Sequence, residues 1–370
     1  MLLYNIAQCH RMLGHVDEAL IFYKNYRRRA PGAANREEIE RRISELEAEQ
    51  RVKQSKKAAE EREAAAAAET KAAADAEAKA AATPAPRADT TPAPSRPAPQ
   101  LARGCAANQV PIPGGTFWMG DPDLDKNSKP VHKVTLSPFC MDKTEVTVTS
   151  FRACVQAGDC QPPSATVDWK DIKPEDKTKR SQFCTWGRGG LDKHPINCVD
   201  WNQASAYCES TGGRLPTETE WEYAARGNDA RQYPWGNEPP DAKKLDVCGS
   251  ECASMAKKRL DLTWTPLYSG DDGWPATAPV GSYPKGASPF GILDMAGNVW
   301  EWTADSFEAY SEAPATNPHR SGSTESPRVC RGGGWSSDAP ALVRAALRGT
   351  NDPADRNSLL GFRCARGAKM

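Results

Sequence analysis

Apolar residues near the start of the chain recur at the spacing of an amphipathic helix. Leu3 and Ile6 share one face, Gly14 interrupts the pattern, and apolar positions then resume until Pro31 ends them. Spacings of three and four residues are typical of helices, and glycine and proline commonly mark helix ends. The pattern predicts an all-α helical hairpin, two helices joined by a turn, over residues 1–34.

The same hairpin resembles a single tetratricopeptide repeat, through the strings at 3–8, 13–14 and 18–20. One repeat cannot bury its apolar face alone, and about three are needed for a stable stack. The resemblance therefore implies that this arm packs on further repeats or on another protein, and we favour repeats upstream of Met1. A simple amphipathic hairpin is the alternative interpretation.

Residues 35–79 are rich in Glu, Lys, Arg and Ala, and Ile39, Ile43 and Leu46 form a short apolar stripe among them. This composition predicts a charged, alanine-rich, solvated helix that frays at its ends. In the next segment, 80–104, prolines alternate with Ala, Thr and Ser, which favours extended conformations and provides no core. We therefore predict a disordered linker there, and no chemistry in either segment.

The remaining residues, 105–370, have the composition of a folded domain, because all eleven tryptophans lie between Trp118 and Trp335. A segment of this length can bury one large core. The chain carries 48 basic and 48 acidic residues, so no overall charge favours nucleic acid as a partner. No apolar run of about 18 residues predicts a membrane span, and the printed chain shows no signal-peptide pattern.

Eleven of the twelve cysteines lie from Cys105 onward, and could serve as disulfides, zinc thiolates or catalytic thiols. Cys154 with Cys160, and Cys248 with Cys252, could each close a tight loop, or the two pairs could hold zinc. Neither pair has the two-residue spacing of common zinc sites, so we favour disulfides. Because disulfides persist in oxidising compartments, we expect the domain in the periplasm or outside the cell.

Thr217 and Glu220 stand at the start of a predicted helix. A threonine followed three residues later by glutamate is typical of a capping box, so both residues are expected to cap the helix rather than catalyse. The sequence has no phosphate-binding loop, dinucleotide fingerprint, nucleophile elbow or His-x-x-x-His helix. The sequence therefore lacks the marks of the common catalytic classes to which these motifs belong.

Tryptophan- and glycine-rich blocks follow one another in order between Val110 and Arg366. They occupy 112–120, 139–147, 194–201, 214–226, 233–236, 277–281, 291–302, 331–333 and 360–364. Together they resemble the formylglycine-generating enzyme family, also called the sulfatase-modifying factor domain. The resemblance implies an irregular α+β domain over 105–370, with low regular secondary structure and a relationship to C-type lectins.

The resemblance implies that active members of that family carry two cysteines after an Arg-Gly-Gly-Ser block. The thiolates of these two cysteines hold copper. Soft thiolate ligands suit Cu(I), and a hydroxyl cannot replace them. In this sequence the serine is replaced by Gly334, the first cysteine position is Ser337, and the second has no counterpart. We therefore do not expect copper. The family's other oxidative branch resembles sulfoxide synthases, which need an iron-binding helical domain that this sequence lacks.

Calcium is the cofactor that the sequence predicts. The segment 294–301 carries carboxylates at Asp294 and Glu301 with carbonyl groups between them, an oxygen-rich set that suits Ca²⁺. The resemblance implies one ion held by Asp294, Gly297, Val299 and Glu301, and a second held by Asp246, Val247, Asp272 and Trp274. Alternatively, Asp294 caps a turn and Glu301 pairs with an arginine.

The resemblance also implies that Cys208 bonds to Cys364, and we expect further bonds between Cys154 and Cys160, Cys248 and Cys252, and Cys184 and Cys198. The partners of Cys105, Cys140 and Cys330 stay open. A peptide groove beside the missing copper cysteines is implied at Trp335, Asp338, Arg344, Arg348 and Asn351, since aromatic and arginine side chains anchor ligands well.

These observations predict a non-catalytic, calcium-stabilised module that binds a protein or peptide. A divergent formylglycine-generating oxidoreductase that uses Cys330 or another unassigned thiol with a metal is the alternative. A structural envelope or matrix component is a third interpretation.

Overall fold

The computed structural model describes Leu20, Tyr23, Lys24, Arg27, residues 35–48 and residues 104–367, and the chain divides between Ala93 and Pro94 into two units. In the first unit, residues 36–48 form a helix. Its apolar stripe is buried with two residues of the preceding segment, namely Leu20, Tyr23, Ile39, Ile43 and Leu46. This helix lies within the segment predicted to be a charged, solvated helix, and its apolar stripe is covered whereas most of its charged positions are exposed. The rest of the predicted hairpin, helix and linker lies outside the described residues, and the tetratricopeptide resemblance stays a prediction.

The second unit contains ten short strands between residues 104 and 367. They are β1 (Gln109–Ile112), β2 (Gly115–Met119), β3 (His132–Leu136), β4 (Phe139–Asp142), β5 (Trp300–Ser306), β6 (Ala315–Thr316), β7 (Arg328–Arg331), β8 (Gly349–Asn351), β9 (Leu360–Gly361) and β10 (Ala365–Gly367).

Five α-helices accompany these strands: α1 (Val148–Ala157), α2 (Pro174–Ser181), α3 (Trp201–Ser210), α4 (Glu218–Arg226) and α5 (Ser250–Met255). A π-helical turn (Ala256–Leu260) extends α5, and single 3₁₀ turns occupy Lys126–Ser128, Pro284–Gly286 and Pro340–Val343. The prediction of a mixed domain built from short elements is confirmed, and the arrangement is consistent with a C-type-lectin-like fold. Among the described residues, no helix has the length and apolar character needed to cross a membrane.

Three small sheets organise the second unit. Their strand orders are β1-β4-β10, β2-β3-β6 and β8-β7-β5-β9. The first sheet places β4 between β1 and β10, so strands from the beginning and the end of the unit pair with the same neighbour. In the third sheet, β5 pairs with β7 antiparallel and with β9 parallel. The strand β9 therefore lies beside Trp300 and Glu301 at the start of β5.

Local sequence determines where α4 begins. The Thr217 hydroxyl accepts a hydrogen bond from the Glu220 backbone, and the Glu220 carboxylate accepts one from the Thr217 backbone. Arg214 holds the same carboxylate at 2.6 Å. This capping box is the arrangement expected from the sequence, and it accounts for both side chains without a catalytic role.

The second unit contains five disulfides, as predicted for the domain, and the bond between Cys208 and Cys364 spans 156 positions. Each expected pair of cysteines forms a disulfide, and Cys105 bonds to Cys140. The five bonds are Cys105–Cys140, Cys154–Cys160, Cys184–Cys198, Cys208–Cys364 and Cys248–Cys252. The bond of Cys208 ties α3 to the segment between β9 and β10. It lies in a core that also contains Phe151, Trp302 and Phe362. Of the described cysteines, Cys330 is the free one, and it is buried.

Candidate functional site

The position that corresponds to the first copper cysteine is closed. Ser337 is 5% exposed, and its hydroxyl accepts a hydrogen bond from the Gly334 backbone at 3.1 Å. Its carbonyl accepts a second bond from the backbone of Cys248, at 3.2 Å. The loop closed by Cys248 and Cys252 therefore rests on the residue where the copper ligand would be.

Aromatic residues pack together next to Ser337. Trp335 is 2% exposed and packs 5.2 Å from the ring of Phe183 and 6.0 Å from the ring of Trp264. The same cluster contains both cysteines of the covering loop, with Met255 and Leu260 from α5 and its extension. Trp335 is thus a core residue of this cluster and presents no open surface.

The other residues of the expected groove do not gather around one exposed surface either. Arg348 is buried and donates to both carboxylate oxygens of Glu218, at 2.6 and 2.9 Å. Arg344 pairs with Asp121 at 2.9 Å. Both arginines pair with acidic residues far away in sequence. Of the groove expected at Trp335, Asp338, Arg344, Arg348 and Asn351, the structure therefore buries Trp335 and Arg348, and the groove stays a prediction. Asp338 is exposed, and Asn351 is half-buried beside Cys330.

Buried charges stabilise the region behind Arg348. Arg331 contacts Glu218 at 2.9 Å and Glu222 at 2.7 Å, and all three side chains have no exposed area. Glu222 also pairs with Arg226 at 2.7 Å. Removing one member of such a cluster leaves a buried charge without its partner, so the network is expected to be structural.

The free thiol of Cys330 lies in the third sheet, away from solvent. It accepts a hydrogen bond from the Asn351 amide at 3.1 Å, and a side chain at Gly349 would meet its sulfur at 2.6 Å. Burial raises the pKa of Cys330 to about 12. The thiol is therefore protonated at neutral pH, whereas a copper ligand has to be a thiolate.

The first predicted calcium set is only partly arranged for a cation. Both carboxylate oxygens of Glu301 are held by Arg363 at 2.7 Å, and Trp221 donates to one of them at 2.8 Å. This arrangement matches the alternative in which Glu301 pairs with an arginine. Asp294 is buried and accepts a hydrogen bond from the Gly281 backbone.

Glu145, which the sequence analysis did not select, faces this set. It is 2% exposed, and neither of its carboxylate oxygens has a hydrogen-bond partner. Burial and the nearby charge of Asp294 hold the pKa of Glu145 well above its usual range. No motif in the sequence marks this position. An unpartnered buried carboxylate of this kind is a natural cation ligand.

The second predicted set is brought together. Asp246 is 1% exposed, one of its oxygens accepts from the Ala278 backbone at 2.9 Å, and the other has no partner. The Asp272 carboxylate accepts hydrogen bonds from the backbones of Val247 at 3.3 Å and Trp274 at 3.0 Å. Burial and the charge of Asp272 hold the pKa of Asp246 well above its usual range.

Two further acidic residues lie beside Asp272. Single carboxylate oxygens of Glu251, Asp271 and Asp272 lie within 4.8 Å of one another. Burial, together with the charges of Asp272 and Asp271, raises the pKa of Glu251 to about 7. Neither Glu251 nor Asp271 was selected from the sequence, because each stands in a polar segment without a recognisable metal-binding motif.

A cavity of about 610 Å³ opens near the second set. His194 lines it, with its Nδ1 atom 3.1 Å from the Thr277 hydroxyl and its ring 5.2 Å from that of Trp274. Burial lowers the pKa of His194. The walls combine aromatic, apolar and cationic side chains, namely Phe183, Arg188, Leu191, Met255, Arg259 and Trp274.

Comparison with known proteins identifies related domains. A family described as the sulfatase-modifying factor enzyme 1-like domain matches residues 95–368. The formylglycine-generating enzyme of Streptomyces coelicolor is 35% identical over 310 residues, covering 75% of this chain and 94% of that protein. The inactive C-alpha-formylglycine-generating enzyme 2 of Bos taurus is 33% identical over 304 residues, covering 73% and 91%.

Among solved structures, PvdO from Pseudomonas aeruginosa superposes with a TM-score of 0.54 at 27% sequence identity, covering 74% of this chain and all of that one. Proteins named as enzymes and proteins named as inactive are therefore both similar to this chain. The residues of the site have to distinguish between these two possibilities.

Proposed function

This chain belongs to the family of sulfatase-modifying factor enzyme 1-like domains, and we propose that it is a non-catalytic, calcium-stabilised module that binds a protein or peptide outside the cytoplasm. The observation that carries this proposal is the closed site. Ser337 stands where a copper thiolate is needed, it is buried, and the Cys248–Cys252 loop is hydrogen-bonded to its backbone. The five disulfides indicate an oxidising, extracytoplasmic environment.

The state of Cys330 supports the absence of oxidase chemistry. A metal-dependent cysteine oxidase needs accessible thiolates, and this thiol is buried, protonated and packed against Gly349. The alternative, a divergent formylglycine-generating oxidoreductase, draws on the similarity to the Streptomyces coelicolor enzyme. It would require the covering loop to open and Cys330 to leave the sheet.

Calcium is supported by carboxylate oxygens that lack partners. In the first set both oxygens of the buried Glu145, beside Asp294, lack a hydrogen-bond donor, and in the second set one oxygen of the buried Asp246, beside Asp272, lacks one. Leaving such groups unpaired in a protein interior costs several kcal/mol, on the order of 1–3 for each unsatisfied group. A hard divalent cation with oxygen ligands offsets that cost. In this proposal Gly297 and Val299 contribute carbonyl groups, and Glu301 supports the site through Arg363.

The ligand is proposed to occupy the cavity beside His194. Its volume of about 610 Å³ suits one or two side chains of a peptide, and Arg188 and Arg259 are exposed at its wall. Arginine and aromatic side chains such as Trp274 are frequent anchors in protein interfaces. The partner is therefore expected to present an apolar side chain next to an acidic group.

A peptide-conversion assay tests the proposal. The calcium-loaded chain is incubated with copper, oxygen and a Cys-x-Pro-x-Arg peptide, and the peptide is weighed by mass spectrometry. The Streptomyces coelicolor enzyme serves as the positive control. An unchanged peptide mass is expected, and conversion of the thiol to an aldehyde would overturn the non-catalytic assignment.

The binding cavity is tested separately, with acidic-aromatic peptides followed by fluorescence anisotropy. Arg259→Glu is expected to weaken binding, while Lys258→Glu, an exposed neighbour that does not line the cavity, is the matched control. Equal effects of the two substitutions would locate the ligand elsewhere.

A further inference from the structure

We infer that the cavity beside His194 binds the carboxyl terminus of the partner, with the apolar side chain of the last residue inside and the terminal carboxylate on Arg188 and Arg259. This inference rests on the proposed peptide binding and deepens it, because it names the part of the partner that enters the cavity. The acidic group of the ligand is then the chain end itself, and not an aspartate or glutamate side chain.

The charge of the cavity wall favours an anion. Among the described residues that line the cavity, two are arginines, one is a histidine, and none is an aspartate or glutamate. The acidic residues nearest to the two arginines in the sequence have other partners, since Asp192 pairs with Arg152 and Asp261 with Lys257, both at 2.7 Å. The positive charge at the wall is therefore available to a ligand.

The two arginines offer different kinds of donor. Arg188 is held by the backbone, because its Nε donates to the Cys184 carbonyl at 2.7 Å and its Nη2 to the Ser181 carbonyl at 3.0 Å. The Arg259 side chain is exposed and has no partner in the part of the chain that the structure describes. A free guanidinium can donate to both oxygens of one carboxylate. The wall therefore combines a fixed donor with an adjustable one.

Much of the remaining wall is apolar. Phe183 and Met255 line the cavity and also belong to the buried cluster around Trp335. An apolar side chain that enters would extend this cluster and leave water, which is favourable. Cavities of about 300–1,000 Å³ hold drug-sized ligands. The volume of about 610 Å³ therefore admits one large residue together with its terminal carboxylate.

An apolar and a cationic wall in one cavity favour a chain end over an internal acidic residue. In an extended peptide, neighbouring side chains point in opposite directions. An apolar residue and an acidic residue next to it therefore cannot both enter the same cavity. A C-terminal residue carries its carboxylate and its side chain on the same Cα atom, so both groups enter together. Capture of a terminal carboxylate is an established mode of peptide recognition.

The loop beside Arg188 leaves room for the rest of the partner chain. Gly189 lines the cavity. A side chain built on Gly187, Gly189 or Gly190 would meet nothing within 4 Å. The space next to these glycines is therefore open, and the partner chain can pass over them towards solvent.

Fluorescence anisotropy with three labelled peptides tests the inference on the intact chain. The first peptide has a Gly-Ser spacer and ends in phenylalanine with a free carboxylate, and the second has the same sequence with an amidated end. The third is amidated and carries aspartate one or two positions after an internal phenylalanine. We expect the amide to bind about tenfold or more weakly than the free acid, because it loses charge-assisted hydrogen bonds to arginine. The internal aspartate should not restore the affinity.

Two variants separate the carboxylate contact from general electrostatic attraction. Arg259→Gln should weaken binding of the free acid about tenfold or more and leave that of the amide unchanged, because only the acid pairs with the guanidinium. Lys258→Gln, an exposed neighbour that does not line the cavity, should preserve the ratio of the two affinities. Both side chains are exposed, so both variants should fold, and circular dichroism checks this.

The outcomes separate this inference from the proposed function. If the amide or the internal peptide binds as tightly as the free acid, the terminal carboxylate is not recognised, and the inference is overturned while peptide binding itself stands. Equal effects of Arg259→Gln on the acid and the amide would overturn it in the same way. If none of the three peptides binds, the inference is overturned, and failure of the acidic-aromatic peptides as well would overturn the proposed binding cavity.

Discussion

Glu301 and Arg363 form a two-point ion pair, with both nitrogen–oxygen distances 2.7 Å and neither side chain exposed. The pair joins β5 to the segment between β9 and β10. Arg363 also donates to the carbonyls of Asp142 and Leu293, at 3.2 and 2.9 Å. One buried guanidinium therefore connects the segment 293–301 with β4 and with the segment between β9 and β10.

Substituting Arg363 should strongly destabilise the domain. Arg363→Met leaves Glu301 as a buried charge without a partner, and we expect a loss of about 3–5 kcal/mol in the free energy of unfolding. Arg152→Met is the control, since Arg152 forms an exposed pair with Asp192 and should cost less than about 1 kcal/mol. Urea denaturation measures both, and similar small losses would show that the Glu301 pair is not structural.

Calcium affinity should depend on Glu145 more than on Glu301. Neither oxygen of Glu145 accepts a hydrogen bond from an N–H group, whereas Glu301 is held by Arg363 and Trp221. Equilibrium dialysis is expected to show at least a tenfold weaker first site in Glu145→Gln, and a change within about threefold in Glu301→Gln. A larger loss of calcium affinity in Glu301→Gln than in Glu145→Gln would show that Glu301 is a calcium ligand, as the sequence analysis expected.

The Cys330 thiol should be inert in the folded protein. Its burial and raised pKa predict no reaction with iodoacetamide at pH 8, while Asn351 holds the sulfur. A Cys9→Ser background removes the cysteine of the first unit. Mass spectrometry should find one alkylated thiol only after unfolding in urea, and rapid labelling of the native chain would contradict the described burial.

Substituting Gly297 should destabilise the domain, because its backbone has a positive φ and a close backbone neighbour. Its φ is +81°, and a side chain there would meet the Asp246 carbonyl oxygen at 2.2 Å. Gly187 has a similar φ of +73° with nothing within 4 Å of the added carbon, so Gly187→Ala is a matched control. The control should lose about 1–2 kcal/mol from backbone strain alone.

Gly297→Ala should lose at least about 1 kcal/mol more than this control, because the Asp246 backbone has to move. It should also weaken calcium binding, since Asp246 belongs to the second set. Equal melting temperatures for the two variants would argue against the close contact.

Features determined by local residue order were accessible from the sequence. The capping box of Thr217 and Glu220 follows from a three-residue spacing, and ordered motifs indicated the domain that the family match places at 95–368. The acidic residues Asp246 and Asp272 also lie together as expected, although 26 positions separate them.

Features that depend on contacts between residues far apart in the sequence could not be predicted from the sequence. Arg348 was expected at an open groove, but it pairs with Glu218, 130 positions earlier in the chain. Trp335 is covered by a loop whose position over Ser337 no spacing rule predicts. Glu145 is recognisable as a ligand candidate only once its burial and the lack of a partner are known.

Copper binding by the intact, disulfide-bonded chain tests the central claim most directly. Cu(I) is titrated in competition with bicinchoninate in the Cys9→Ser background, with and without Cys330→Ala. Because Ser337 provides no thiolate and Cys330 is buried, both proteins should leave the copper on the competitor. One equivalent of tightly bound copper that disappears in Cys330→Ala would contradict the account and establish a metal-thiolate site in this domain.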